Sequence, residues 1–163
     1  MKTMEELFHA LLQDVYYAEK QLTKALPKLA KAAQNKELKK AFTDHLKETE
    51  GHVERLEKAF DMIGKPAKGK KCDAILGIIE EGKEVIEEVD DDQVLDAGLV
   101  ASGQAAEHYE IARYGTLKAW ADELGLEEAV PLLQATLTEE EETDRTLTEL
   151  AEKVVNQKAE AAE

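Results

Sequence analysis

Apolar residues near the start of the chain fall at Phe8, Leu12, Val15, Leu22, Leu26, Leu29 and Ala33. This alternation of threes and fours draws one stripe down an amphipathic helix from about Thr3 to Ala33. Pro27 lies on that helix, and because the stripe keeps its phase beyond the proline, a kink is expected there and not a stop. Asn35 is placed to cap a second helix, whose stripe reads Leu38, Phe42, Leu56, Ala59 and Ile63 before Gly64 closes it. The run KPAKGKK from Lys65 to Lys71 interrupts the pattern with proline, glycine and charge, and reads as a connection. Asp73 then caps a shorter helix to about Glu88, with Ile75, Leu76, Ile78 and Ile79 on its buried side and Gly77 and Gly82 weakening it. Past Asp90, Asp91 and Asp92 a third long helix extends to about Leu124 and is closed by Gly125. Pro131 marks the first turn of a fourth, which continues beyond Val155. Tight links join the first helix to the second and the third to the fourth, while the middle link, about 65–90, is long. The inventory predicts an all-α fold: two helical hairpins forming a four-helix bundle, with a short fifth helix in the crossover between helices two and three.

Each long helix then breaks its own rule near its middle. Between Val15 and Leu22 the inward position is Glu19. On the second helix the same phase passes through His45, Glu48 and His52, and between Val100 and Leu117 it passes through Glu107, Glu110 and Tyr114. On the fourth, Leu133 and Leu137 lead to Glu140 and Asp144 before Leu147 and Val154 resume the apolar pattern. An unpaired charge in a dry interior costs several kcal/mol even after relaxation, and these stripes carry no Lys or Arg. Either the acids are protonated, or they point elsewhere, or divalent cations neutralise them. Two metal ions bridged by carboxylates meet the electrostatic demand best. Oxygen-rich donors with one or two imidazoles suit iron, or alternatively manganese, over zinc or copper by ligand hardness.

Composition narrows the partners. The 163 residues carry 36 Asp and Glu against 21 Lys and Arg, a net charge of −15, which disfavours nucleic acid and anionic membrane and favours a field that concentrates cations. No apolar run approaches the roughly 18–20 residues of a membrane span. The single Cys72 excludes an internal disulfide, a C-x-x-C pair or a four-cysteine metal knot, and suits a reducing cytoplasm. The opening MKTMEELFHALLQD carries acid where a secretory leader would be basic, so no leader is expected. At this length one domain over residues 1–163 is expected.

The strings HLKETEGHVERL, AAEHYEIARYGTLKAWA and LLQATLTEEEETDRTLTELA resemble the YciE/YciF stress-protein family. The spread of Glu19, Glu48, His52, Glu107, Glu110, Glu140 and Asp144 over four helices resembles the ferritin-like di-metal carboxylate proteins. That resemblance implies a ferritin-like bundle, usually a homodimer, with a di-iron or di-manganese centre. It matches Glu19 and Glu107 to the single carboxylates of helices one and three, and Glu48 and Glu140 to those of helices two and four. Ferritin-like sites place Glu and His three apart on helices two and four, whereas here Glu48 to His52 and Glu140 to Asp144 are four apart. Both spacings share a helical face. His45, three before Glu48, competes with His52, and Glu141, three before Asp144, competes with Glu140. Glu110 forms Glu-x-x-Glu with Glu107, similar to the extra carboxylate of rubrerythrin-type sites, which implies a labile ligand.

Other polar residues take ordinary readings. Glu50, Glu54, Glu57, Glu139 and Glu142 are assigned to solvated faces, His9 and His108 to the surface, Tyr16 and Tyr114 to core filling with a hydrogen bond to a ligand or an electron relay as the alternative, and the run from Glu80 to Asp92 to an acidic face. Cys72 has no evident base and is expected to be unreactive. Three function classes follow: a ferroxidase or peroxidase-like oxidoreductase of stress conditions served by an external electron donor, an iron sequestration or storage protein, and a non-catalytic helical interaction protein.

Overall fold

The first stripe closes into α1, Met4–Ala32, with Thr3 Oγ1 accepting the Glu6 N–H at its start, and the helix runs on through Pro27. The chain is seen here as a computed structural model that describes residues 1–162. In α2, Lys36–Met62, Asn35 Oδ1 accepts the N–H groups of Glu37 and Leu38 at 2.8 and 3.1 Å, as its position foretold. Helix α3, Asp73–Glu88, begins one residue earlier than expected, with Cys72 at the cap position and Asp73 already helical. Helix α4, Asp92–Glu123, starts from Asp91, whose Oδ1 accepts from Gln93 and Val94. Gly64 and Gly125 follow α2 and α4 with φ of 63° and 69°, a left-handed conformation that glycine alone adopts without strain. Helix α5, Ala129–Leu150, carries Pro131 in its first turn, widens into a π-helical turn over Ala151–Val155, and ends as α6, Asn156–Glu160. The sequence pattern did not foretell the widened turn.

Helices α1 and α2 pack together, as do α4 and α5; contacts of α2 with α5 and of α1 with α4 close the four long helices around one interior. Helix α3 lies outside, against α4 and α1. Of its four expected core residues only Ile75 is fully buried, and Ile78 and Ile79 line an open apolar groove beside α1. The buried Asp96 of α4 accepts the backbone N–H groups of Gln34 and Asn35, both at 2.8 Å, and so fixes the α1–α2 turn to the other hairpin. No helix among the described residues is long and apolar enough to cross a membrane.

The core is in two blocks. One contains Phe8, Leu12, Val15, Leu56, Phe60, Leu117 and Leu133. The other contains Leu22, Leu26, Leu38, Phe42, Leu99, Leu147 and Val155. Between the two blocks lie Glu19, His45, His52, Glu107, Glu110 and Glu140, all among the residues that broke the apolar stripes.

Candidate metal centre

In the band between the blocks, Glu19 of α1, His45 and His52 of α2, Glu107 and Glu110 of α4 and Glu140 of α5 are all buried, at no more than 2% exposure. They form two groups. Donor atoms of His45, Glu107, Glu110 and Glu140 all lie within 4.8 Å of one another, as do those of Glu19, His52 and Glu140. Glu140 belongs to both and stands between the imidazoles: its Oε2 is 3.5 Å from His45 Nε2 and its Oε1 3.0 Å from His52 Nδ1.

Each imidazole turns one nitrogen inward and has the other held by a carboxylate at the rim. His45 Nε2 faces Glu107 Oε1 at 3.1 Å, while its Nδ1 lies 3.2 Å from both Glu48 Oε2 and Thr143 Oγ1. His52 Nδ1 faces Glu140 and Glu19, while its Nε2 lies 2.8 Å from Glu139 Oε2. Such outer partners set the ring orientation and the basicity of the inward nitrogen. Tyr114, wholly buried, donates its hydroxyl to Glu19 Oε1, so this tyrosine does more than fill space.

Burial and crowding set the proton affinities. Desolvation, reinforced by the Glu140, Glu19 and Glu107 carboxylates, pushes Glu110 well above the usual carboxylate range. Burial opposes charge on His52, but the Glu140 and Glu19 carboxylates beside its Nδ1 outweigh it and raise the group to about 10. Even so, many donor atoms have no hydrogen-bond partner: Glu19 Oε2, His52 Nδ1, Glu107 Oε2 and both oxygens of Glu110 and of Glu140 are buried and unsatisfied. Unsatisfied buried polar atoms of this kind are rare and call for an explanation. Four carboxylates and two imidazoles buried along one seam fit hard or borderline divalent cations.

Not every expected residue joins these groups. Glu48 is 40% exposed and reaches only His45 Nδ1 and Thr143. The reason is phase: Leu38, Phe42, His45, Thr49, His52 and Leu56 alternate by four and three, which puts the buried Thr49, not Glu48, on the inward face. Asp144 is drawn aside by Gln104 Nε2 at 2.9 Å and by the exposed His108 at 3.1 Å, and Glu141 is exposed. Glu139, read as solvated, is instead gripped by Arg55 and bonded to His52. Glu57, also read as solvated, is partly covered and accepts the Tyr16 hydroxyl at 2.8 Å. His9, read as surface, is half-buried edge-on to Phe60. No single-helix pattern marks the Arg55–Glu139 pair, because its two halves lie on different helices.

Comparison with known proteins follows the same lines. The family model described as a domain of unknown function, DUF892, matches residues 3–160. Protein YciF of Escherichia coli (strain K12) is 50% identical over 161 residues, which is 98% of this chain and 97% of that protein. The crystal structure of the E. coli stress protein YciF superposes with a TM-score of 0.92, covering 96% of this chain and 99% of that one. YcfI from Rhodopseudomonas palustris, whose description offers a structural role, superposes with a TM-score of 0.88 at 48% identity over 90% of this chain and 94% of that one.

Proposed function

The chain belongs to the DUF892 family, and from that premise, with the buried acids and imidazoles, we propose that it is a ferritin-like di-metal carboxylate protein, binding iron or manganese, for oxygen, peroxide or iron-oxidation chemistry under stress. One observation carries the reading. Seven donor atoms on Glu19, His52, Glu107, Glu110 and Glu140 are buried without a partner, in two groups that share Glu140.

On this reading Glu19, His52 and Glu140 would hold one ion, and His45, Glu107, Glu110 and Glu140 the other. Bound there, the pair supplies Lewis acidity and one-electron redox chemistry toward oxygen or peroxide. The chain supplies the rest. Glu140 would reach both positions, and both oxygens of Glu110, buried without a partner, would be available to the second. Glu48 and Glu139 keep the imidazoles in orientation, and Tyr114 holds its proton on the bond to Glu19. The two apolar blocks exclude bulk water. With only Cys72 available for thiolate ligation, the reductant comes from outside the chain. The working form is a cytoplasmic homodimer.

The test is elemental analysis of untagged protein, followed by anomalous diffraction at the iron and manganese edges. Two ions per chain, within the two groups, are expected. Protein free of transition metal, with a melting temperature that neither ion moves, is instead an interaction protein. A closed shell of many subunits in place of a dimer indicates storage.

A further inference from the structure

An external reductant must reach a centre enclosed by four helices, on a chain whose net charge is −15. One face departs from that acidic background. The strap from Lys65 to Lys71 is tied across α1: Gln13 Nε2 donates to Lys68 O and Lys70 N–H donates to Gln13 O, both at 3.2 Å. Gly69 sits so close to α1 that a Cβ there would lie 3.0 Å from Tyr17 Cβ and 3.2 Å from its Cα. Lys65, Lys68 and Lys70 are exposed and form no ion pair among the described residues; the strap's one such pair joins Lys71 to Asp73. The charge continues along α1 as exposed Lys20, Lys24 and Lys28, spaced three and four apart from Tyr17 onward.

The end of the strap meets α4, the helix that carries Glu107 and Glu110. Cys72 Sγ lies 3.1 Å from Tyr109 Oη, and the Arg113 guanidinium, also without an ion pair among the described residues, stands 5.1 Å over the Tyr109 ring. Tyr109 falls between Glu107 and Glu110 on α4, so its backbone lies within about 3 Å of both along the helix axis.

We infer that the strap and the lysine stripe of α1 form a docking surface for an acidic one-electron carrier protein, which delivers electrons to the buried centre beside Tyr109. This purpose rests on the di-metal reading, whereas the charge pattern stands without it. An acidic partner is repelled by most of this chain's surface and attracted here, so the field selects orientation as well as partner. Each docked carrier gives up one electron and no bond in the chain forms or breaks. Two such transfers, with two protons from solvent, balance the conversion of one peroxide to two waters.

The probe is a reduced plant-type [2Fe–2S] ferredoxin, an acidic one-electron donor. The test variant is Lys65→Glu with Lys68→Glu and Lys70→Glu, all on an exposed segment. Titration of metal-free protein should show affinity falling at least about tenfold in the variant and, for the unaltered chain, falling as salt rises. With metal loaded, ferredoxin-driven peroxide reduction should fall about tenfold, while reduction driven by a neutral hydroquinone stays unchanged. Absent ferredoxin binding, or affinity unchanged by the reversed charges, overturns the inference. So does binding to phosphatidylglycerol vesicles in place of ferredoxin, which assigns the face to a membrane surface. If the chain binds no metal, the di-metal reading falls, and the binding titration still decides the docking surface.

Discussion

Arg55 holds Glu139 at two points, Nη2 to Oε1 at 2.8 Å and Nη1 to Oε2, and the same Oε2 lies 2.8 Å from His52 Nε2. The guanidinium, first by its hydrogen bond and then by its charge, keeps Glu139 below the usual carboxylate range. Held by Arg55, Glu139 in turn fixes the His52 ring with Nδ1 inward. Glu139→Gln should therefore weaken metal binding at the Glu19–His52 position by about 10–100-fold, the usual cost of losing an outer partner. Chelator competition reads the two positions separately. An equal loss at both, or none, counts against the positioning role.

Because Glu140 belongs to both groups, Glu140→Ala should abolish binding at both, whereas Glu19→Ala and Glu107→Ala should each empty mainly one position. Stoichiometry by elemental analysis separates these outcomes. Glu140→Ala protein that keeps one fully occupied ion shows that the carboxylate is not shared.

The metal-free protein should lose stability as pH rises. Glu110 has a raised folded pKa, so it holds its proton more tightly folded than unfolded, and stability declines above its ordinary value of 4.5. His52 acts in the same direction: the stability it contributes is complete below pH 6.5 and is lost as pH rises to about 10. Metal binding displaces these protons, so the rise in melting temperature on adding manganese should be larger at about pH 8 than at about pH 6. A metal-free melting temperature that stays flat or climbs across this window contradicts the assigned directions.

Asp96→Ala tests the tie between the hairpins. It removes the acceptor for two backbone N–H groups of the α1–α2 turn, at a cost of about 2 kcal/mol, or roughly 4–8 °C in melting temperature. Metal stoichiometry should be unchanged, since Asp96 touches neither group.

The sequence made most of the architecture legible because the signals were local. Apolar phase set the four long helices, Asn35 and Asp91 cap as polar side chains at helix starts do, and Gly64 and Gly125 sit at helix ends. Glu19, Glu107, Glu110 and Glu140 were readable as inward because flanking leucines and valines fixed their phase. Glu48 was less readable, because positions three and four apart both count as one face until packing selects between them; the selection went to Thr49. Asp144, Glu139 and Tyr114 depend on partners in other helices, Gln104, Arg55 and Glu19 respectively. No periodicity within one segment carries that information.

Dividing the apolar interior into two blocks separates the packing that holds the helices from the band proposed to hold ions. Each block draws side chains from all four long helices, so on the di-metal reading the waist between them could exchange a cation while both ends stay packed. On the di-metal reading, filling or emptying the centre would disturb only the middle of the bundle and leave both packed ends in place.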